Sequence, residues 1–81
     1  MIIRSSKEFE KNLKSLKDSE MLRRIKKQIE KIIENPNIGK PLRYGLRGER
    51  TVYVKPYRLI YSVRDYKLFL LRFLHRKKVY K

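Results

Sequence analysis

The residues able to do chemistry gather in the last third of the chain. Arg58 lies within Tyr57-Arg58-Leu59-Ile60-Tyr61, and a second apolar run, Leu68 to Phe73, leads into His75-Arg76-Lys77-Lys78-Val79-Tyr80. The chain carries 23 Lys and Arg against 8 Asp and Glu, a formal net charge of +15, so the partner such residues select is a polyanion. A phosphodiester in RNA is cut without a metal when the adjacent 2′-OH loses its proton, cations neutralise the crowded phosphorane, and the 5′ oxygen receives a proton. Arginine suits the second task, because its planar fork pairs two phosphate oxygens and stays charged. Arg58 and Arg76 are the candidates for it. The base could be Lys55, Lys77 or His75, since a cation-rich setting favours the neutral form of lysine and histidine, and histidine needs the least help. Tyr80 can stack on a nucleobase or donate a proton. Arg47, Arg50, Lys77 and Lys78 are read as contacts to the RNA backbone.

Each residue also has a plainer reading. Arg58 could be a solvated or ion-paired strand residue, and His75 a ring hydrogen-bonded at a strand end. Tyr53, Tyr57 and Tyr61 read as sheet-packing residues, and the basic residues of Arg23 to Lys31 as a solvated helix face that could also meet RNA.

Composition narrows the chemistry further. The absence of cysteine removes disulfides and thiolate ligands, and with a single histidine the sequence implies neither metal nor cofactor. Its 81 residues make one small domain, residues 1–81, which buries only about 60% of the surface its unfolded chain exposes. No apolar stretch is long enough to span a bilayer and Met1 to Ser5 has no signal core, so a cytoplasmic protein is expected.

The elements that must position these residues are legible from periodicity. Ile2 and Ile3 suggest a short strand, and Ser5 with Glu8 a capping box opening a helix with Phe9, Leu13 and Leu16 on one face. Asp18 and Ser19 cap a second helix whose stripe is Leu22, Ile25, Ile29, Ile32 and Ile33, ended by Asn35-Pro36. Residues 35–48 hold all three glycines and read as a loop, anchored by Leu42 and Leu46. From Arg50 the period becomes two. Val52 and Val54 alternate with Thr51 and Tyr53, Pro56 turns the chain into Tyr57 to Arg64, and Asp65-Tyr66-Lys67 turns it again into a last strand. The expectation is an α+β fold in β-α-α-β-β-β order, with an N-terminal helical hairpin packed on a small, mainly antiparallel sheet.

This order, with Tyr57-Arg58-Leu59-Ile60-Tyr61, His75-Arg76-Lys77-Lys78-Val79-Tyr80, Asn35-Pro36, Gly39-Lys40-Pro41-Leu42 and Leu46-Arg47-Gly48, resembles the RelE/ParE toxin superfamily over nearly the whole chain. The resemblance implies a ribosome-dependent endoribonuclease that cuts mRNA by 2′-OH attack, leaving a 2′,3′-cyclic phosphate. It puts the family's strand arginine on Arg58, its C-terminal arginine on Arg76 and its terminal tyrosine on Tyr80. It also implies a cognate acidic, RelB-like antitoxin, the ribosome and mRNA as partners, operator DNA reached only through the antitoxin complex, and no cofactor. Active RelE proteins often carry basic residues where this chain has Thr51 and Tyr53, which leaves Arg50 or Lys55 to supply the base. The ParE branch shares the fold and inhibits DNA gyrase, and a non-catalytic RNA-binding module is the remaining alternative.

Overall fold

The computed structural model describes residues 1–42 and 48–79. Strand β1 (Ile2–Ser5) leads through α1 (Lys7–Lys14) and α2 (Ser19–Glu34) to a two-residue strand β2 (Lys40–Pro41). Strands β3 (Arg50–Val54), β4 (Tyr57–Arg64) and β5 (Lys67–His75) follow, and a single turn, α3 (Arg76–Val79), ends the described chain. The sheet order is β1-β5-β4-β3-β2, with β1 parallel to β5 and every other pair antiparallel. The expected α+β architecture is therefore present, with β2 and α3 added to it.

Local chemistry sets the helix starts. Ser6, not Ser5, caps α1, its Oγ accepting from the Phe9 N–H at 2.9 Å and donating to the Leu71 carbonyl at 2.6 Å. Ser5 is unavailable as a cap because it is the last residue of β1, paired with Leu70. Asp18 caps α2 through Oδ1, which accepts from Glu20 and Met21. Such caps stabilise a helix by about 1 kcal/mol.

The core lies between the helices and one face of the sheet. Phe9, Met21, Ile25 and Ile32 pack there on Val52, Val54, Leu59, Tyr61, Leu68, Leu70 and Phe73. Leu22 and Ile33, expected in the buried stripe of α2, are instead exposed, because Met21, Ile25 and Ile32 point the helix a step further round.

One irregularity sets which β5 residues face which way. The register of β4 and β5 shifts between Ile60 and Tyr61, so that Ile60 opposes Arg72 while Tyr61 opposes Leu70, leaving Leu71 as an extra residue. A bulge of this kind reverses the inward–outward alternation beyond it. Phe73 consequently enters the core, and Arg72 and Leu74 face away from the helices.

Candidate active site

The face of the sheet turned away from α1 and α2 carries the cations. Leu59 and Tyr61 belong to the core, so alternation places Arg58 and Ile60 on this distal face. Cross-strand pairing then makes two rows: Tyr53–Arg58–Leu74, and beside it Thr51–Ile60–Arg72.

Tyr53 organises the first row. The Arg58 guanidinium carbon lies 5.1 Å from the centre of its ring and the Lys55 Nζ 5.7 Å. Arg76, two residues beyond Leu74, turns back so that its Nη1 donates to the Tyr53 hydroxyl at 2.9 Å. One phenol thus holds Arg58, Arg76 and Lys55 together. Each cation–π contact at such a half-open position stabilises by about 0.5–1 kcal/mol. Arg58 and Arg76 thus both carry their guanidinium groups to one tyrosine.

Two hydrogen bonds fix the β3–β4 hairpin that carries Lys55. Arg24 of α2 donates from Nη1 to the Lys55 carbonyl at 3.0 Å, and the Arg76 N–H donates to the Pro56 carbonyl at 3.0 Å. The tip of the hairpin and the start of α3 are therefore one unit. In the second row Arg72 is engaged elsewhere, donating to the buried Glu49 carboxylate at 2.8 Å.

Of the other expected site residues, Arg50 and His75 lie apart from this cluster. Arg50 faces the helix side, opposite Tyr61, and donates to the Gly39 carbonyl at 2.7 Å. His75 shares the helix-side row with Tyr57, stacks edge-on against it with ring centres 5.7 Å apart, and accepts at Nδ1 from the Lys77 N–H at 3.3 Å. It lines, with Lys78, an open pocket of ≈ 410 Å³ near the end of α1, on the side of the sheet opposite Arg58. Lys77 and Lys78 are exposed on α3. Tyr80, Arg47 and the expected anchor Leu46 lie outside the described residues.

Tyr53, read from sequence as a sheet-packing residue, stands instead at the centre of the cluster. Tyr57 and Tyr61 do pack into the core layer, but Tyr53 is 37% exposed on the distal face. The signal was its parity with Thr51, opposite to Val52 and Val54. Among the described residues no three His, Asp or Glu side chains come together as a metal-binding group.

Known structures share this arrangement of helices on a five-stranded mixed sheet. YafQ from E. coli strain BL21(DE3) superposes with a TM-score of 0.79 at 23% identity, covering 98% of this chain and 97% of its own. The YoeB dimer from Staphylococcus aureus gives a TM-score of 0.82 at 21% identity over 94% and 97% of the two chains. A chain of the RelB-RelE antitoxin-toxin complex from Methanococcus jannaschii gives 0.75 at 27% identity over 95% and 94%. The fold is thus that of the small RelE-like toxins. Among curated protein sequences none matches significantly. The family model for the ParE toxin of type II toxin-antitoxin systems, parDE, matches residues 3–80, and the chain belongs to that family.

Proposed function

We propose that this toxin is a metal-independent endoribonuclease that cuts mRNA at the ribosome. The observation that carries the reading is the convergence of Arg58 and Arg76 on Tyr53, with Lys55 beside them. In the proposed step the 2′ oxygen bonds to phosphorus, the bond to the 5′ oxygen breaks, and the proton of the 2′-OH ends on that leaving oxygen. A 2′,3′-cyclic phosphate results. Arg58 and Arg76 hold the non-bridging oxygens, whose charge grows as the phosphorane forms, and Lys55 is the basic group nearest the cluster for the acid–base work. Tyr80 is assigned to the base or the leaving oxygen by resemblance alone. His75, on the opposite side of the sheet, has no part in this scheme.

The same reading supplies a partner and a place. A cognate acidic antitoxin of the RelB kind suits a chain of net charge +15, and the Methanococcus relative is seen in a RelB-RelE complex. Operator DNA is then met only through that complex. Access to ribosomes requires a cytoplasmic protein, and no helix among the described residues is long and apolar enough to cross a membrane.

Sequencing of RNA 5′ ends after brief induction tests the proposal. Discrete cuts within translated mRNA are expected, and Arg58→Ala or Arg76→Ala should slow them about 10²–10³-fold, the usual loss on removing one preorganised donor. Undiminished cutting by the doubly substituted chain would overturn the assignment. So would a parent chain that blocks gyrase supercoiling and leaves mRNA whole.

A further inference from the structure

Among the 8 acidic residues Glu49 alone is buried, at 7% exposure; the others are exposed on α1, on α2 and its cap, or in the turn after β4. A carboxylate taken out of water is costly unless a cation pairs it. The cation here is Arg72, whose Nη2 donates to Glu49 Oε1 at 2.8 Å and whose side chain is still 29% exposed. The other ion pair among the described residues, Arg23 with Glu20, is exposed on α2.

Arg72 stands next to Arg58 without belonging to its cluster. Arg58 opposes Leu74 and Ile60 opposes Arg72, so Arg58 and Arg72 are diagonal neighbours on the distal face. Such neighbours lie about 7–8 Å apart, within reach of long side chains. Along β5, Arg72 comes two residues before Leu74 and Arg76 two residues after it. Arg58 therefore has an arginine on either side with which to share a phosphate. The two seats are unequal. The seat toward Arg76 has Tyr53 and Lys55 beside it, whereas the row of Arg72 continues into Ile60 and Thr51, which carry no charge. An RNA shifted onto the second seat would hold its phosphate away from Lys55. A carboxylate already bonded to Arg72 prevents this, because it neutralises the guanidinium and repels a second anion.

We propose that Glu49 sets the register of the RNA. Its carboxylate occupies Arg72, so a phosphate has one seat, on Arg58 with Arg76, and not a second on Arg58 with Arg72. Glu49 touches no substrate and acts through Arg72, which makes it a positioning residue. The inference rests on the RNA-cutting reading above and adds to it the choice of phosphate.

The first test uses the parent chain and inorganic phosphate, followed by side-chain NMR. The guanidinium signals of Arg58 and Arg76 should shift and those of Arg72 should stay. The second uses a single-stranded RNA with 2′-O-methyl groups, which binds and is not cut. Glu49→Gln keeps an oxygen that accepts from Arg72 and removes the charge. Its binding should be tighter at low salt and its salt slope steeper by about 0.7, an additional loss of about 2.6-fold between about 50 and 200 mM salt. The doubly substituted Glu49→Gln, Arg72→Gln chain should return to the parent slope. Glu34→Gln, which removes an exposed acid from the end of α2, should not change it. With mRNA-programmed ribosomes as substrate, Glu49→Gln should lower kcat and KM together, by about 2-fold if the two seats fill equally, and leave kcat/KM in place. A merely structural role for Glu49 would lower kcat/KM instead.

A shift of Arg72 by phosphate in the parent chain overturns the proposal. So does a slope that is unchanged in Glu49→Gln, steepened as much by Glu34→Gln, or still steep in the double variant. Cleavage is scored separately. Slopes as expected in a chain that cuts nothing would remove the nuclease and keep the masking of Arg72, whereas cutting with unaltered slopes would remove the masking alone.

Discussion

The Tyr53 hydroxyl accepts from Arg76 while its ring lies under Arg58, so a single side chain sets the spacing of two guanidinium groups. Truncation of the hydroxyl alone separates these functions. Tyr53→Phe keeps the ring contact to Arg58 and removes the hydrogen bond to Arg76, a bond contributing about 0.5–1.5 kcal/mol. Cleavage of RNA should fall by about 2- to 13-fold, while folding stability falls by no more than the same bond contributes, about 0.5–1.5 kcal/mol, because the residue is 37% exposed and outside the core. Single-turnover kinetics check the prediction. A Tyr53→Phe chain as slow as Arg76→Ala would mean that the phenol itself takes part in the chemistry.

At the scale of elements, the loop between α2 and β2 is fastened to β4 by one buried tyrosine. The Tyr61 hydroxyl donates to the Pro36 carbonyl at 2.8 Å and accepts from the Gly39 N–H at 2.9 Å. Gly39 is needed for this approach, since a Cβ there would lie 2.7 Å from the Tyr61 hydroxyl. Burial pushes the Tyr61 hydroxyl above its ordinary value of 10.0, although the Gly39 hydrogen bond and the positive charge of Arg50 act against the rise. A raised value in the folded state means stability that is complete below about pH 10 and is lost as the unfolded chain ionises first. Tyr61→Phe should therefore cost about 1–3 kcal/mol at neutral pH by leaving two polar groups unpaired. That gap should hold steady up to about pH 10 and narrow above it, by up to about 1.4 kcal/mol per pH unit. Urea unfolding of the two proteins from pH 7 to 11 measures it. A gap that stays constant throughout would show that Tyr61 does not titrate differently in the two states.

The same scale explains what periodicity could and could not reveal. The alternation of Val52 and Val54 and the run from Tyr57 to Arg64 located β3 and β4, and Arg58 falls on the face away from the helices once Leu59 and Tyr61 are seen in the core. The bulge at Leu71 was invisible, because Phe69, Leu71 and Phe73 form an uninterrupted apolar alternation of their own. Without the bulge, the parity of everything after it is misread, including the opposite facing of His75 and Leu74. Hence His75, a candidate base from sequence, is on the side of the sheet opposite Arg58. Leu22 and Ile33 were misplaced for a different reason. Both lie at the edge of the apolar arc of α2, where a small rotation decides between core and solvent.

The whole molecule measures only 32 × 27 × 21 Å, yet its charges do not act as one. At physiological salt the screening length is about 8 Å, well short of the 21 Å that is its least dimension. Cations on the outer side of α2 are accordingly screened from RNA bound on the distal face, where Lys55 stands beside Tyr53. Lys27 is exposed on α2, and Lys55 is exposed on the hairpin. Binding of a short single-stranded RNA should weaken with salt at a slope of about −0.7 per phosphate neutralised. Lys55→Gln should flatten that slope by about 0.7, whereas Lys27→Gln should leave it within error, although both remove one positive charge from the same net total. Fluorescence anisotropy between low and physiological salt distinguishes them. If the two substitutions flatten the slope equally, RNA is attracted by the overall charge of the molecule, and the distal face has no special claim on the phosphate.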